Sequence, residues 1–349
     1  MQELTSRERI LYTLKRLPVD RCPCDIWYTR EVMDSLMSHF RTRDESSVFE
    51  ALGVDKITSL EAPWKKATRR EGSLTTTPWG NKVRYVGNAF GGYEETVHYP
   101  FAGIEEVGEA RQLPLPGADE FDYLALKKRC IESRRWIRML SFISIFEIYC
   151  RLKPMEEALM DLSVNPELAH HIIDRLLQFQ KSYILEASEA CGDELEIVYL
   201  SDDVGMQDRP LMGLATWEEY LKEPYRELID LCHSLGFSTF YHTDGSAYDV
   251  LEAMTGMGID IVNPLQYVCP GMEREKLKKN LGGRVILHGA VENQRIIPFG
   301  SPEEVASEVR DNIRILGKGG GYICAPCHNI QPGTPVQNIV AMFRAVREG

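Results

Sequence analysis

Tyr241-His242-Thr243-Asp244-Gly245 sets an imidazole two residues from a carboxylate, a spacing that can place both on one ion or one substrate. The structural alternative is that Asp244 N-caps a following helix while His242 is a hydrogen-bonded core histidine. Leu200-Ser201-Asp202-Asp203-Val204-Gly205 carries two adjacent carboxylates, whose mutual repulsion disfavours burying both unless a cation or donor compensates. Either Asp202 or Asp203 can serve as general acid or base, as metal ligand or as helix cap, and at least one is expected to face a site. Cys324-Ala325-Pro326-Cys327-His328-Asn329-Ile330 offers a thiol beside an imidazole; neighbouring strand residues point to opposite faces, so only one of Cys327 and His328 is expected to face the site. The Cys-x-x-Cys spacing suits zinc or redox chemistry only with a second pair nearby. Cys22 and Cys24 are expected at the opposite end of the fold, roughly 17 Å away, which disfavours a four-cysteine site.

These residues sit just past the ends of short apolar runs. Strand-like runs occur at Cys24–Tyr28, Val54–Leu60, Ile137–Phe142, Leu195–Leu200, Phe237–Tyr241, Asp260–Val262, Arg284–His288 and Gly321–Cys324. Helical patterns separate them, clearest at Trp217–Leu235, Tyr248–Met257, Glu273–Leu281 and Pro302–Leu316, with a final helix at Val336–Val346. Alternating β and α units imply a parallel sheet, and eight of them favour a closed (β/α)8 TIM barrel over an open doubly wound sheet. In such a barrel the loops after the strands gather at one mouth, where distant residues converge on one small molecule. The capping-box pattern Thr5-Ser6-Arg7-Glu8 predicts a helix before the first strand, ended by Pro18.

The chain is read as one barrel domain over residues 1–349, interrupted between the second and third strands by an insertion over about 68–123. Within it Lys82–Val86 and Tyr93–His98 alternate as an antiparallel hairpin, either a lid over the mouth or a surface excursion. Gly319-Gly320-Gly321 precedes a strand rather than following one, so it reads as a tight turn and not a phosphate loop. Substrate contacts are expected from Trp27, Tyr28 and Arg30 after the first run and from Gln207 after the fourth. Asn263 and Gln266 after the sixth run and Glu292 after the seventh complete that set; these could equally satisfy loop backbone.

The composition, 349 residues with 44% hydrophobic and 26% charged, is that of a large globular enzyme. A formal charge of -12 and scattered basic residues exclude a nucleic-acid surface. The most apolar stretch, Met139–Phe146, is far shorter than the roughly 20 residues that span a bilayer. Nine scattered cysteines and the polar start Gln2-Glu3-Leu4-Thr5-Ser6 point to the reducing cytoplasm and to no secretory leader. Oligomeric state is left open, a homodimer being one expectation.

With those residues in place the chain resembles the uroporphyrinogen decarboxylase superfamily, (β/α)8 enzymes that include the decarboxylase and cobalamin-linked methyltransferases. The carriers are Pro18-Val19-Asp20-Arg21-Cys22-Pro23, Ala51-Leu52-Gly53-Val54-Asp55, Asp202-Asp203-Val204-Gly205-Met206-Gln207, Tyr241-His242-Thr243-Asp244-Gly245, Gly258-Ile259-Asp260 and His328-Asn329-Ile330-Gln331-Pro332-Gly333-Thr334-Pro335. Family decarboxylases carry an Arg-Gln-Ala-Gly-Arg-Tyr segment after the first strand; here it reads Trp27-Tyr28-Thr29-Arg30-Glu31-Val32, which retains one arginine. Two extra carboxylates at the mouth further mismatch a substrate with eight carboxylates. His328 does match the histidine of the decarboxylases' late Gly-His-Gly segment. The zinc-dependent methyltransferases use His-x-Cys and a later Cys. By that resemblance His242 stands for the histidine, Asp244 for the first Cys and His328 for the second, with Cys327 available if the register shifts by one.

The resemblance therefore implies a methyltransferase component of a corrinoid-dependent demethylation system. It would act on a small methylated substrate, with zinc on His242, Asp244 and His328 and a corrinoid carried by a partner protein. Asp202, Asp203, His242 and His328 are the expected catalytic residues. Porphyrinogen decarboxylation, a lyase activity of porphyrin metabolism, is the second reading; a barrel that binds a small molecule without chemistry is the third. The cost of keeping several polar groups at the mouth argues against that third reading.

Overall fold

The computed structural model describes residues 3–66, 68–88 and 91–349. Among the described residues eleven strands run in chain order: β1 Ile57–Leu60, β2 Arg69–Glu71, β3 Leu74–Thr76, β4 Lys82–Asn88, β5 Gly91–His98, β6 Ile137–Ile143, β7 Ile197–Ser201, β8 Ser238–His242, β9 Ile261–Asn263, β10 Ile286–Val291 and β11 Tyr322–Pro326. β1 and β6–β11 form one parallel sheet in the order β1-β6-β7-β8-β9-β10-β11. Helices between successive strands curl it into an α/β barrel.

The eighth position belongs to the first apolar run, which is held by isolated bridges instead of a regular ladder. Cys24 pairs in parallel with Cys324, and Tyr28 with Ile330. Asp25 N–H donates to Cys324 O and Cys324 N–H to Pro23 O, both at 2.9 Å. On the other edge Asp55 N–H donates to Cys24 O at 2.8 Å, but Ile57 N–H donates to the Asp25 carboxylate, at 3.0 Å. Pro23 has no N–H to give, and a side chain replaces one rung, so the ladder is broken there. One expectation is corrected by this closure: Cys24 and Cys324 are bridge partners, not residues at opposite ends.

Alternation along the strands splits the core in two. Ile57, Ile137, Met139, Ile197, Tyr199, Phe240, Ile261, Ile286 and Ile323 point into the barrel, and Ile10 of the helix Ser6–Leu14 packs into the same cluster. That helix starts as its sequence predicts, with the Thr5–Glu8 capping box in place. The intervening residues, such as Val198, Leu200 and Tyr241, join the larger core between sheet and helices.

The insertion is a four-stranded antiparallel sheet, β2-β3-β4-β5. β4 and β5 are the predicted hairpin, Val86 facing Tyr93; the short strands β2 and β3 went unpredicted because three residues carry no periodicity. Residues 89 and 90 of its tip lie outside the described residues. At its root Trp79 packs edge-on against Phe179, ring centroids 4.8 Å apart. Among the described residues no helix is long and apolar enough to cross a membrane.

Candidate active site at the barrel mouth

His242 ends β8, Asn263 ends β9, and Asp203, Asp244 and His328 lie in the loops just beyond β7, β8 and β11. Two glycines let the first two loops touch. A Cβ on Gly205 would stand 2.3 Å from Asp244 O, and one on Gly245 2.5 Å from Met206 O, where the backbone also has a φ of +81°. The contact is sealed by Ser246 N–H on Met206 O at 2.8 Å, Val204 N–H on Thr243 Oγ1 at 3.1 Å and Asp244 N–H on Asp203 Oδ1 at 2.9 Å.

His242, Asp244 and His328 thereby converge: each offers one donor atom, and the three atoms lie within 4.8 Å of one another. His328 Nε2 is 4.0 Å from Asp244 Oδ2, and His242 Nε2 is 3.8 Å from Asp203 Oδ1. Gln266 fixes Asp244: its Nε2 donates to Asp244 Oδ1 at 3.0 Å while its Oε1 accepts from Gly245 N–H at 2.7 Å. Burial pushes the Asp244 carboxyl above its ordinary range and Asp203 adds to the shift, while the two imidazoles oppose it. A cation among these donors would supply what the acid lacks. Two imidazoles and a carboxylate fit zinc with a position left open.

The remaining expected site residues go elsewhere. Asp202 does not reach the mouth. It is fully buried and accepts from Ser144 Oγ at 2.7 Å, Phe146 N–H at 2.9 Å, Glu147 N–H at 2.6 Å and Tyr225 OH at 2.5 Å, so it anchors the start of the helix Phe146–Leu152. The two carboxylates are separated as their repulsion demands, one inside with donors and one half exposed. Glu292 is also buried, capping the backbone N–H groups of Gln294, Arg295 and Ile296. Cys327 lies buried with its thiol on Leu265 O at 3.5 Å, and burial raises its pKa, so it stays out of the cluster. Asn263 is fully buried between His242 and His288. Arg30 turns outward onto Asp34 and Glu45.

Trp27 stacks on His242 with centroids 5.5 Å apart, and with Tyr28 it lines a cavity of about 800 Å³ bordered by Lys56, Arg151 and Tyr199. Gln207, Gln266, Asp244 and His328 line a second cavity of about 640 Å³, whose rim carries the exposed Phe299. Sequence reasoning missed Glu147, at the start of the helix after β6. Its carboxyl is pushed up to about 7 by burial against the pull of Arg151, with Asp202 and Asp203 raising it further. Asp25, inside the first run, and Lys56, just ahead of β1, were missed as well, because neither follows a strand end. For Glu147 the available signal was the rule applied elsewhere, that polar residues just past strand ends line the mouth.

Fold and site together define a (β/α)8 barrel with His242, Asp244 and His328 gathered at its mouth. The family model described as Uroporphyrinogen decarboxylase (URO-D) matches residues 144–349, and the chain belongs to that family. It is 22% identical over 359 residues to the uroporphyrinogen decarboxylase of Coxiella burnetii (strain Dugway 5J108-111), covering 97% of this chain and 94% of that one. It is 26% identical over 183 residues to that of Synechococcus sp. (strain CC9605), covering 52% and 48%. Among solved structures, a methyltransferase from Methanosarcina mazei superposes over 99% of both chains with a TM-score of 0.73 at 18% identity, so the two share a fold.

Proposed function

We propose that this chain is the methyltransferase component of a corrinoid-dependent demethylation system, with zinc held by His242, Asp244 and His328. The observation that carries the reading is the convergence of those three donors at the mouth, with Asp244 held in place by Gln266. Bound there, zinc supplies Lewis-acid activation of a methyl donor or acceptor. The chain's own groups do the rest. Asp203, half exposed beside His242, orients the substrate or takes its proton. Trp27 and Tyr199 give the adjoining cavity two aromatic faces against which a methyl group can pack, among polar groups that include Lys56 and Arg151. A corrinoid carried by a separate, cytoplasmic partner protein would supply the methyl-exchange chemistry, and the insertion that follows β1 is the candidate lid.

Elemental mass spectrometry on protein purified without a metal-affinity tag tests the metal. Near-stoichiometric zinc is expected, lost in His242→Ala and in His328→Ala with folding intact. It is kept in Asp260→Ala, whose carboxylate instead bonds Thr239 N–H at 2.7 Å and His233 at 2.9 Å. Retained zinc in both histidine variants overturns the assignment.

Porphyrinogen decarboxylation is the second reading, favoured by the family and by the names of its relatives. Against it stands Arg30, the single arginine of Trp27–Val32, which faces Asp34 and Glu45 rather than the mouth. Release of carbon dioxide from uroporphyrinogen by the purified protein would move the conclusion to that reading.

A further inference from the structure

Behind His242 runs a line of buried polar groups that leads to Lys56 at the border of the larger cavity. His242 Nδ1 meets Asn263 Oδ1 at 2.6 Å; Asn263 Nδ2 meets His288 Nδ1 at 2.8 Å; His288 Nε2 meets Asp25 Oδ2 at 3.3 Å. Asn263, His288 and Asp25 are all fully buried. The line ends at Lys56 Nζ, 3.3 Å from Asp25 Oδ1, and Trp27 Nε1 donates to Asp25 Oδ2 at 2.9 Å. Lys56 and His288 outweigh the burial of Asp25 and hold its carboxyl below the usual range.

The direction of each bond in this line follows from the orientation of the Asn263 amide. Asn263 Nδ2 also lies 3.4 Å from the His288 carbonyl oxygen, which can only accept, so the amide nitrogen belongs on the His288 side and Oδ1 on the His242 side. His288 then accepts at Nδ1 and donates from Nε2 to the Asp25 carboxylate. His242 must donate from Nδ1, so in the neutral ring the lone pair lies on Nε2, facing Asp203, Asp244 and His328. The ring plane is held too. Trp27 stacks on His242 at 25° between planes while bonded to the same Asp25, and Tyr199 packs against His242 with centroids 5.7 Å apart.

We propose that Asn263, His288 and Asp25 are positioning residues that lock His242 in the tautomer with its proton on Nδ1 and its Nε2 lone pair at the mouth, ready for a cation. The inference rests on the metal reading for its use and on the hydrogen-bond line for its existence. A neutral imidazole left to itself carries its proton on either nitrogen, and the wrong choice puts an N–H where a ligand atom is needed. Asp25 serves twice, since the carboxylate that ends the line also supplies the missing rung between the first segment and β1. Barrel closure and ligand orientation are thereby coupled through one side chain.

The test separates the two dependencies. Histidine ring 15N shifts are recorded on metal-free protein at about pH 8, where an ordinary imidazole is neutral, with the His242 signals assigned by their loss in His242→Gln. Wild type is expected to show His242 protonated on Nδ1 only. Asn263→Leu is expected to release that preference and weaken binding of Co²⁺ alone, read by competition with a chromophoric chelator, by about 10- to 100-fold. Asn263→Asp keeps the acceptor for Nδ1–H and is expected to restore both tautomer and affinity. His242 protonated on Nε2 in wild type, or unchanged in Asn263→Leu, overturns the proposal. The expected tautomers without any Co²⁺ binding by wild type would sustain the hydrogen-bond line and overturn the metal reading instead. Should Asn263→Leu fail to fold, the wild-type and Asn263→Asp spectra decide.

Discussion

At the residue scale, the chemistry of the mouth depends on which carboxyl is ionised and which is held neutral by burial. Glu147 titrates near 7 because burial disfavours its charge, with Asp202 and Asp203 nearby. A carboxyl whose folded pKa is raised stabilises the fold while protonated; that stabilisation is lost as pH rises from the ordinary glutamate value through about 7. Glu147→Gln is therefore expected to melt close to the parent at about pH 5 and above it at about pH 8, measured by thermal denaturation across that range. A constant offset between the two proteins would show that Glu147 does not titrate there. Gln266→Leu removes both the donor to Asp244 Oδ1 and the acceptor for Gly245 N–H, and should weaken Co²⁺ binding by about tenfold and cost about 1–3 kcal/mol in stability.

At the element scale, the loops after β7 and β8 must lie backbone against backbone for Asp203 and Asp244 to meet. Gly245→Ala forces a Cβ onto Met206 O from a left-handed backbone, and is expected to cost about 1–3 kcal/mol in urea unfolding and to weaken cation binding together. The doublet Asp202-Asp203 was legible as a strand-end feature, but which member faces in was not. That choice depended on Ser144 and Tyr225, both far from the doublet in sequence, and on the helix start at Phe146. Asp202→Ala leaves those donors unpaired and is expected to cost on the order of 3 kcal/mol, well above the cost of Asp203→Ala, by equilibrium unfolding. Equal costs would contradict the separation of their roles.

At the scale of the whole molecule, charge closes the barrel where the ladder is broken. Arg9 holds Asp20 at 2.7 Å and also Asp55, while Arg21 holds both oxygens of Asp55 at 2.9 Å. The family-like stretches around Asp20-Arg21 and Asp55 thus tie the N-terminal helix to the first segment and β1. Hydrogen bonding to Arg9 holds the Asp20 carboxyl below its ordinary range, and Asp25 is held low as well. Groups depressed in this way stabilise the fold above the ordinary carboxylate pKa, and that contribution is lost as pH falls through their folded values. The melting temperature should rise as pH falls from about 8 to about 5, where Glu147 takes up its proton, and fall steeply below about pH 4, a fall that Asp20→Asn makes shallower. Asp55→Ala takes from the buried Arg9 one of its two carboxylate partners and from Arg21 its bidentate partner, and is expected to cost about 3–5 kcal/mol.

The sequence by itself determined the eight apolar runs and their order. It also placed His242, Asp203, Asp244 and His328 past strand ends, because apolar alternation and helix periodicity are local properties of the chain. Tertiary structure alone decided which carboxylate of the doublet stays in reach of the mouth, that Asn263 is buried between His242 and His288, and that Asp25 bonds both the backbone of β1 and His288. Those outcomes depend on hydrogen-bond partners 21 to 263 residues apart in the chain, and on which polar group finds a buried donor once the sheet closes.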